Sequence, residues 1–229
     1  MRRIVDAMRY LLRGGLPWRM LPPGFTPATT VQPCFYGWRN SGLWQTINHY
    51  LLMEIRTAEG REARPSAGVI DSVKATKSGG VRGYDAGKKI KGCKRHILTD
   101  TCGYLVHAVV HSAYIPDRDG APLVLAAIKG RFPWLRHVFA DGGYAGPQLR
   151  KMLRKICKWT LEIIKRSDAI KGFEVLPRRW VVERTFAWLG RNRRLTKDFE
   201  KTESTTTWLL MASVQLITRR IATLCDQTG

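Results

Sequence analysis

The sequence predicts a mixed α/β fold preceded by a small helical region, and three observations carry that expectation. Up to residue 57, apolar residues recur at helical spacing with no strand pattern. A polar linker at residues 58–68, AEGREARPSAG, then marks a change of pattern. Beyond it, short runs rich in β-branched residues alternate with helical stretches in the order strand, hairpin, helix, strand, helix, strand, helix. Such an order combines antiparallel and crossover connections and therefore a mixed sheet covered by helices. At 229 residues the chain can bury one full core and a small extra domain, and 44% hydrophobic residues exclude wholesale disorder.

The elements follow in order. Residues 2–13 place Ile4, Val5, Met8, Leu11 and Leu12 on one helical face, and Gly14-Gly15 stops that helix. Residues 16–28 carry four prolines and read as a loop. A short helix is expected over 30–40, where Pro33 is tolerated only in the first turn. Residues 42–57 form a clearer helix, with Leu43, Trp44, Ile47, Leu51 and Ile55 on one side. This region, residues 1–60, reads either as a helix-turn-helix unit or as a cap on the main domain, which spans 66–229. In that domain, VID at 69–71 is a short buried strand and residues 72–92 a basic, glycine-rich loop. CKRHILTDT and YLVHAVVHSA form a hairpin about Cys102-Gly103. A helix is expected over 117–130, a strand over 136–141, a basic helix over 146–157 and a strand over 159–166. Helices over 178–190 and 203–224 complete the chain.

Charge narrows the function. Lys and Arg number 39 against 18 Asp and Glu, a net charge of +21 with a pI near 10.4. The excess clusters at 74–95 and 178–201, inside foldable sequence rather than in a tail. Such a surface binds nucleic acid or anionic membrane. No basic amphipathic helix shows a clean aromatic face, and Arg or Gly breaks every apolar stretch before membrane length, which favours nucleic acid. A merely basic or ribosome-associated protein is the plain alternative. Asp6, Arg9 and Arg13 interrupt the N-terminal apolar residues, unlike a signal peptide. The five cysteines form no CxxC pair, as expected of free thiols in a reducing compartment. Cys93, His96, Cys102, His107 and His111 invite a zinc reading, but Cys93 and His96 lie three apart in a strand and so point to opposite faces.

Three acids stand out in this basic chain. Asp71 ends the apolar run AGVIDS, Asp141 ends HVFADGGY, and Glu183 lies in RRWVVERTFAWLGRNRR. A carboxylate beside β-branched neighbours is costly unless something positive satisfies it. Taken singly, each has an ordinary explanation: Asp71 and Asp141 as turn residues, Glu183 as a partner of Arg179 or Arg184. Taken together, they can hold two Mg²⁺ ions about 3.5–4 Å apart for phosphoryl transfer on a polyanion.

The strings VIDS, RGYDAGKKIKGCKRHILTDT, DRDGA, FADGGYAG and LPRRWVVERTFAWLGRNRRLTKDFE resemble those of bacterial insertion-sequence transposases of the DDE superfamily, in the insertion sequence five group. The resemblance covers nearly the whole chain, and the last string is highly specific. It implies an RNase H-like mixed sheet flanked by helices and a catalytic, metal-binding triad of Asp71, Asp141 and Glu183. It further implies Mg²⁺ as cofactor, two ions with Mn²⁺ as substitute. The implied substrate is double-stranded DNA, both inverted-repeat ends and target, at the nucleoid in the bacterial cytoplasm. Two ends must be held together, so a homodimer on DNA is expected. Segment 1–57 and the C-terminal helix, with Trp208, Leu209, Leu210, Val214, Leu216 and Ile217, offer surplus apolar surface that either serves it or packs within one chain. A nuclease without strand transfer and an inactive DNA-binding remnant are the alternatives. Lys74, Lys77, Arg82, Lys88, Lys89, Lys91, Lys94 and Arg95 are expected to track the DNA backbone, with Arg184, Arg191, Arg193 and Arg194 on the scissile strand and Arg179 as a further DNA contact. Trp180 and Trp188 are read as core rather than base-stacking wedges. The chain departs from the family pattern at Leu176, where a Tyr is expected, and at Gly190, where a Lys is expected with Arg191 adjacent. DSVKATKSGG is one residue shorter than usual, and the chain begins where relatives carry a further N-terminal segment.

Overall fold

The computed structural model describes residues 1–76, 82–85, 89–156, 158–164, 177–198 and 200–228. Its helices are α1 (Arg2–Gly14), α2 (Ala28–Asn40), α3 (Leu43–Ala58), α4 (Asp117–Ala127), α5 (Pro147–Ile156), α6 (Pro177–Gly190) and α7 (Thr202–Thr228). Its strands are β1 (Ala67–Thr76), β2 (Gly83–Asp85), β3 (Ile90–Asp100), β4 (Leu105–Ser112), β5 (His137–Ala140) and β6 (Thr160–Ile163). The helix α1 ends as glycine dictates: Gly15 takes φ 69° and returns its N–H to the carbonyl of Leu11. Pro33 sits deeper in α2 than its first turn, because that helix begins at Ala28.

One mixed sheet of six strands organises the chain. β3 pairs antiparallel with β1 on one side and with β4 and the short β2 on the other. Beyond β1 the sheet turns parallel, β1 to β5 and β5 to β6. β1 is much longer than the expected VID, because residues as far as Thr76 stay in register with β3. Helices cover both faces. Val69, Ile97, Ala108 and Val110 pack with α1, α2, α6 and the first half of α7. Ile70, Leu98, Val106, Val138 and Leu161 pack with α4, α5 and the end of α3. This is the RNase H-like arrangement, a mixed sheet flanked by helices.

The first helices share a core with the rest of the chain. Met8, Leu11, Leu12 and Phe35 bury against Trp208, and Phe35 stacks on that indole at 4.4 Å. Trp208, Leu209, Leu210 and Ile217 of α7 are buried within one chain, while Val214 and Leu216 are half-buried. Helices α1–α3 pack against α7 and supply part of that cover. Among the described residues, no helix is long and apolar enough to cross a membrane.

Candidate active site

The parallel pairing of β1 and β5 brings two of the three acids together. Val69 lies opposite Phe139, so Asp71, midway along β1, and Asp141, just past the end of β5, stand level on neighbouring strands. Asp71 shares the strand face of Val69, toward α6, which packs on β1 and β5. Burial pushes its carboxyl up to about 7, and the negative charges of Asp141 and Asp117 push the same way. The Ser72 N–H, donating to Asp71 Oδ1 at 2.7 Å, and the Arg179 charge pull against that shift. Asp141 opens a 3₁₀ turn, Gly142–Tyr144, and accepts the Gly143 N–H at 2.8 Å.

Glu183 reaches this cluster through an arginine. Arg179 Nη2 lies 3.3 Å from Glu183 Oε1, one helical turn away on α6, and 3.8 Å from Asp141 Oδ2. A guanidinium thus stands between two of the acids. Among the described residues, no group of three or more His, Cys, Asp or Glu side chains stands at metal-holding spacing. Carboxylates facing one another without a cation repel, and here Arg179 separates Glu183 from Asp141.

The structure adds residues that sequence reasoning passed over. Asp117, read as a helix start, accepts a 2.7 Å hydrogen bond from the Ser72 hydroxyl and pairs with Lys94 at 3.1 Å. Those partners outweigh its own burial and hold its carboxyl below the usual range. Gly120 permits this close approach of α4, since a Cβ there would lie 2.6 Å from His111 Nε2. Tyr144 ends the turn that carries Asp141 and is fully buried. Its hydroxyl meets His96 Nε2 at 2.6 Å, His96 Nδ1 meets His111 Nε2 at 2.9 Å, and His111 Nδ1 meets the Ser112 carbonyl at 2.9 Å. A carbonyl only accepts, so His111 donates from Nδ1 and accepts at Nε2. His96 then donates from Nδ1 and accepts the Tyr144 proton at Nε2. Burial first, then the cost of sharing charge with His111 beside Lys94, pushes His96 down to about 3, and burial lowers His111 as well, which keeps the chain neutral. It pins the Asp141 turn to β3. The only sequence signal was the DRDGA and FADGGYAG strings themselves, because nothing local links Asp117 or Tyr144 to β1 or β3.

Cys93 and His96 do point to opposite faces of β3. Cys93 donates to Asp198 at 2.8 Å, whereas His96 faces Tyr144.

The predicted DNA contacts divide into inward and outward sets. Lys74 pairs with Asp85 at 2.6 Å, and Lys94 is buried against Asp117, Asp85 and the Ile115 carbonyl. Arg95 is buried and donates to the Leu195 carbonyl. Arg184 donates to the Cys102 carbonyl and lies between the Trp180 and Trp188 rings, 4.6 and 4.5 Å from their centres. Arg194 is held by the Leu16 carbonyl and Glu200, over Trp18 and Trp208. Arg82, Lys89, Lys91, Arg191 and Arg193 are exposed, and Lys77 and Lys88 lie outside the described residues. Trp180 is 45% exposed, which the core reading did not anticipate.

The donor set suits a hard divalent cation. Asp71, Asp141 and Glu183 offer oxygen ligands only, and the raised Asp71 carboxyl lies beside like charges that a cation would relieve.

The family described as "Transposase DDE domain" matches residues 62–216. A second, described as "Putative transposase of IS4/5 family", matches residues 1–48. The chain is 33% identical over 117 residues to a Burkholderia cepacia protein described as "Putative transposase for insertion sequence element IS402". That match covers 48% of this chain and 54% of the relative, so the chain spans about half the length of the curated relative it matches. No solved structure matches.

Proposed function

The chain belongs to the transposase DDE domain family, and on that premise we propose that it cleaves the ends of a bacterial insertion sequence and joins their 3′-hydroxyls to target DNA. The observation that carries this reading is the level placement of Asp71 on β1 and Asp141 just past the parallel β5, beside α6, with Arg179 linking Asp141 to Glu183. Asp71, Asp141 and Glu183 would hold two Mg²⁺ ions, with Mn²⁺ as a substitute. When bound, such ions activate an attacking oxygen and stabilise the leaving one.

The chain's own residues prepare that chemistry. Tyr144 holds the Asp141 turn, and Ser72 with Asp117 holds the polar end of β1. Arg179 holds Asp141 and Glu183 apart, and would be available to a DNA phosphate if those carboxylates instead held the ions. Arg82, Lys89, Lys91, Arg191 and Arg193 are the exposed candidates for backbone contact. The substrate is double-stranded DNA, both inverted-repeat ends and target, in the bacterial cytoplasm at the nucleoid. Two ends must move together, so a homodimer on DNA is the simplest symmetric assembly.

The test is a duplex carrying the inverted repeat that flanks the coding sequence, incubated with target plasmid and Mg²⁺. Joined products support a transposase. Nicked duplex without joining would make the chain a nuclease of the same fold, and binding without cleavage an inactive remnant.

A further inference from the structure

We propose that helix α5, with Lys158 just beyond it, is a second track for the DNA backbone, separate from the basic stretches at 74–95 and 178–201. The proposal rests on the function proposed above and names a further surface of the same protein. α5 reads PQLRKMLRKI and contains no acid. Leu149 and Leu153 are buried against the neighbouring α4 and β6, which turns Arg150, Lys151, Arg154 and Lys155 outward at helical spacing. Lys158 is exposed as well. Among the described residues, none of these five cations has an ion-pair partner. This contrasts with Lys74 and Lys94, which the fold turns inward onto Asp85 and Asp117.

The surface is also shaped. A groove of about 550 Å³ runs from Ala145 and Gly146 past Arg150, Lys151 and Arg154. A second, of about 410 Å³, continues past Arg150 and Arg154 to Lys158 and Thr160. The first begins at Ala145, the residue that follows the Asp141–Tyr144 turn. A ten-residue helix is about 15 Å long. At about 3.4 Å of duplex axis per phosphate on each strand, that length accommodates roughly four phosphates. Unpaired cations along a trough of that length match an extended polyanion. The competing role, guarding the sheet edge at β6 against pairing with other chains, would put the charges on the strand itself. β6 instead carries Glu162, which is engaged with His137 at 2.9 Å.

The experiment replaces Arg150, Arg154 and Lys155 together by Gln in the full chain. Affinity for the inverted-repeat duplex is then measured between 50 and 200 mM salt. Each lost phosphate contact lowers the slope of log affinity against log salt by about 0.9. The triple variant is expected to lose about 2.7 from that slope and to bind about 500-fold more weakly at 0.1 M salt. Should it aggregate, Arg150→Gln and Lys158→Gln, measured singly, are each expected to lose about 0.9. Unchanged slopes in a wild type and variant that both bind would overturn the proposal while leaving the transposase reading intact. A wild type that binds no duplex at any salt would sink the transposase reading itself. A loss confined to single-stranded RNA, with duplex binding unaltered, would also overturn it.

Discussion

Replacing Asp71 by Asn should stabilise the metal-free protein at neutral and alkaline pH while abolishing its chemistry. The folded protein raises this carboxyl from 3.8 to about 7, chiefly by burial. Between those values the folded chain holds a proton that the unfolded chain has released, so wild-type stability falls as pH rises through that window. The full penalty is present above about 7. Three units at 1.36 kcal/mol each set a ceiling of about 4 kcal/mol. The side chain is only partly shielded from water, and screening brings the expected gain for Asn to about 1–2 kcal/mol at pH 8. Near pH 4 the two proteins should be equally stable. Asn keeps an acceptor for the Ser72 N–H, so the geometry survives. Urea denaturation in EDTA at pH 4.5, 6 and 8 reads the difference, and titrations common to both proteins cancel. Adding Mg²⁺ at pH 8 should then stabilise the wild type but not the variant. A variant less stable than wild type at pH 8 in EDTA, or one stabilised equally by Mg²⁺, would refute the reasoning.

Duplex affinity should fall about 10³–10⁵-fold between 50 and 200 mM salt if six to ten phosphates are neutralised, and a nearly flat dependence would remove the basic surfaces as a DNA channel. Tyr144→Phe leaves the buried His96 Nε2 without its 2.6 Å donor; the expected cost is about 1–3 kcal/mol by urea denaturation, with weaker Mn²⁺ binding because the Asp141 turn loosens. Unchanged stability would mean that the hydroxyl does not anchor that turn. On an inverted-repeat duplex the protein should assemble as a dimer by mass measurement; a one-to-one complex that still joins two ends in concert would contradict this.

Most of the element order was legible because helical and alternating periods are local properties. Every expected helix and strand appears, with shifted ends. β1 was underread for a physical reason: past Asp71 its residues are polar, and their partners come from elsewhere. Ser72 is satisfied by Asp117 and Lys74 by Asp85, so a strand that looks solvated in sequence is half-buried in the fold. The same cause misdirects the reading of charge. Composition cannot tell an exposed Arg193 from an Arg194 held over two tryptophans. The carboxylates were legible as individuals, each closing an apolar run or lying in an arginine-rich helix. The supports of the site, Asp117, Tyr144 and His96, lie far apart in sequence and became visible only through the sheet register.

The central claim is that Asp71, Asp141 and Glu183 act as one unit. Its most direct test is the yield of joined product, with Mg²⁺, from an inverted-repeat duplex and target DNA, comparing wild type with Asp71→Asn, Asp141→Asn and Glu183→Gln. Each substitution should reduce joining to background while duplex affinity stays within a few-fold of wild type, because uniform phosphate contacts lie elsewhere on the surface. Wild-type joining by any one of the three variants would contradict the account.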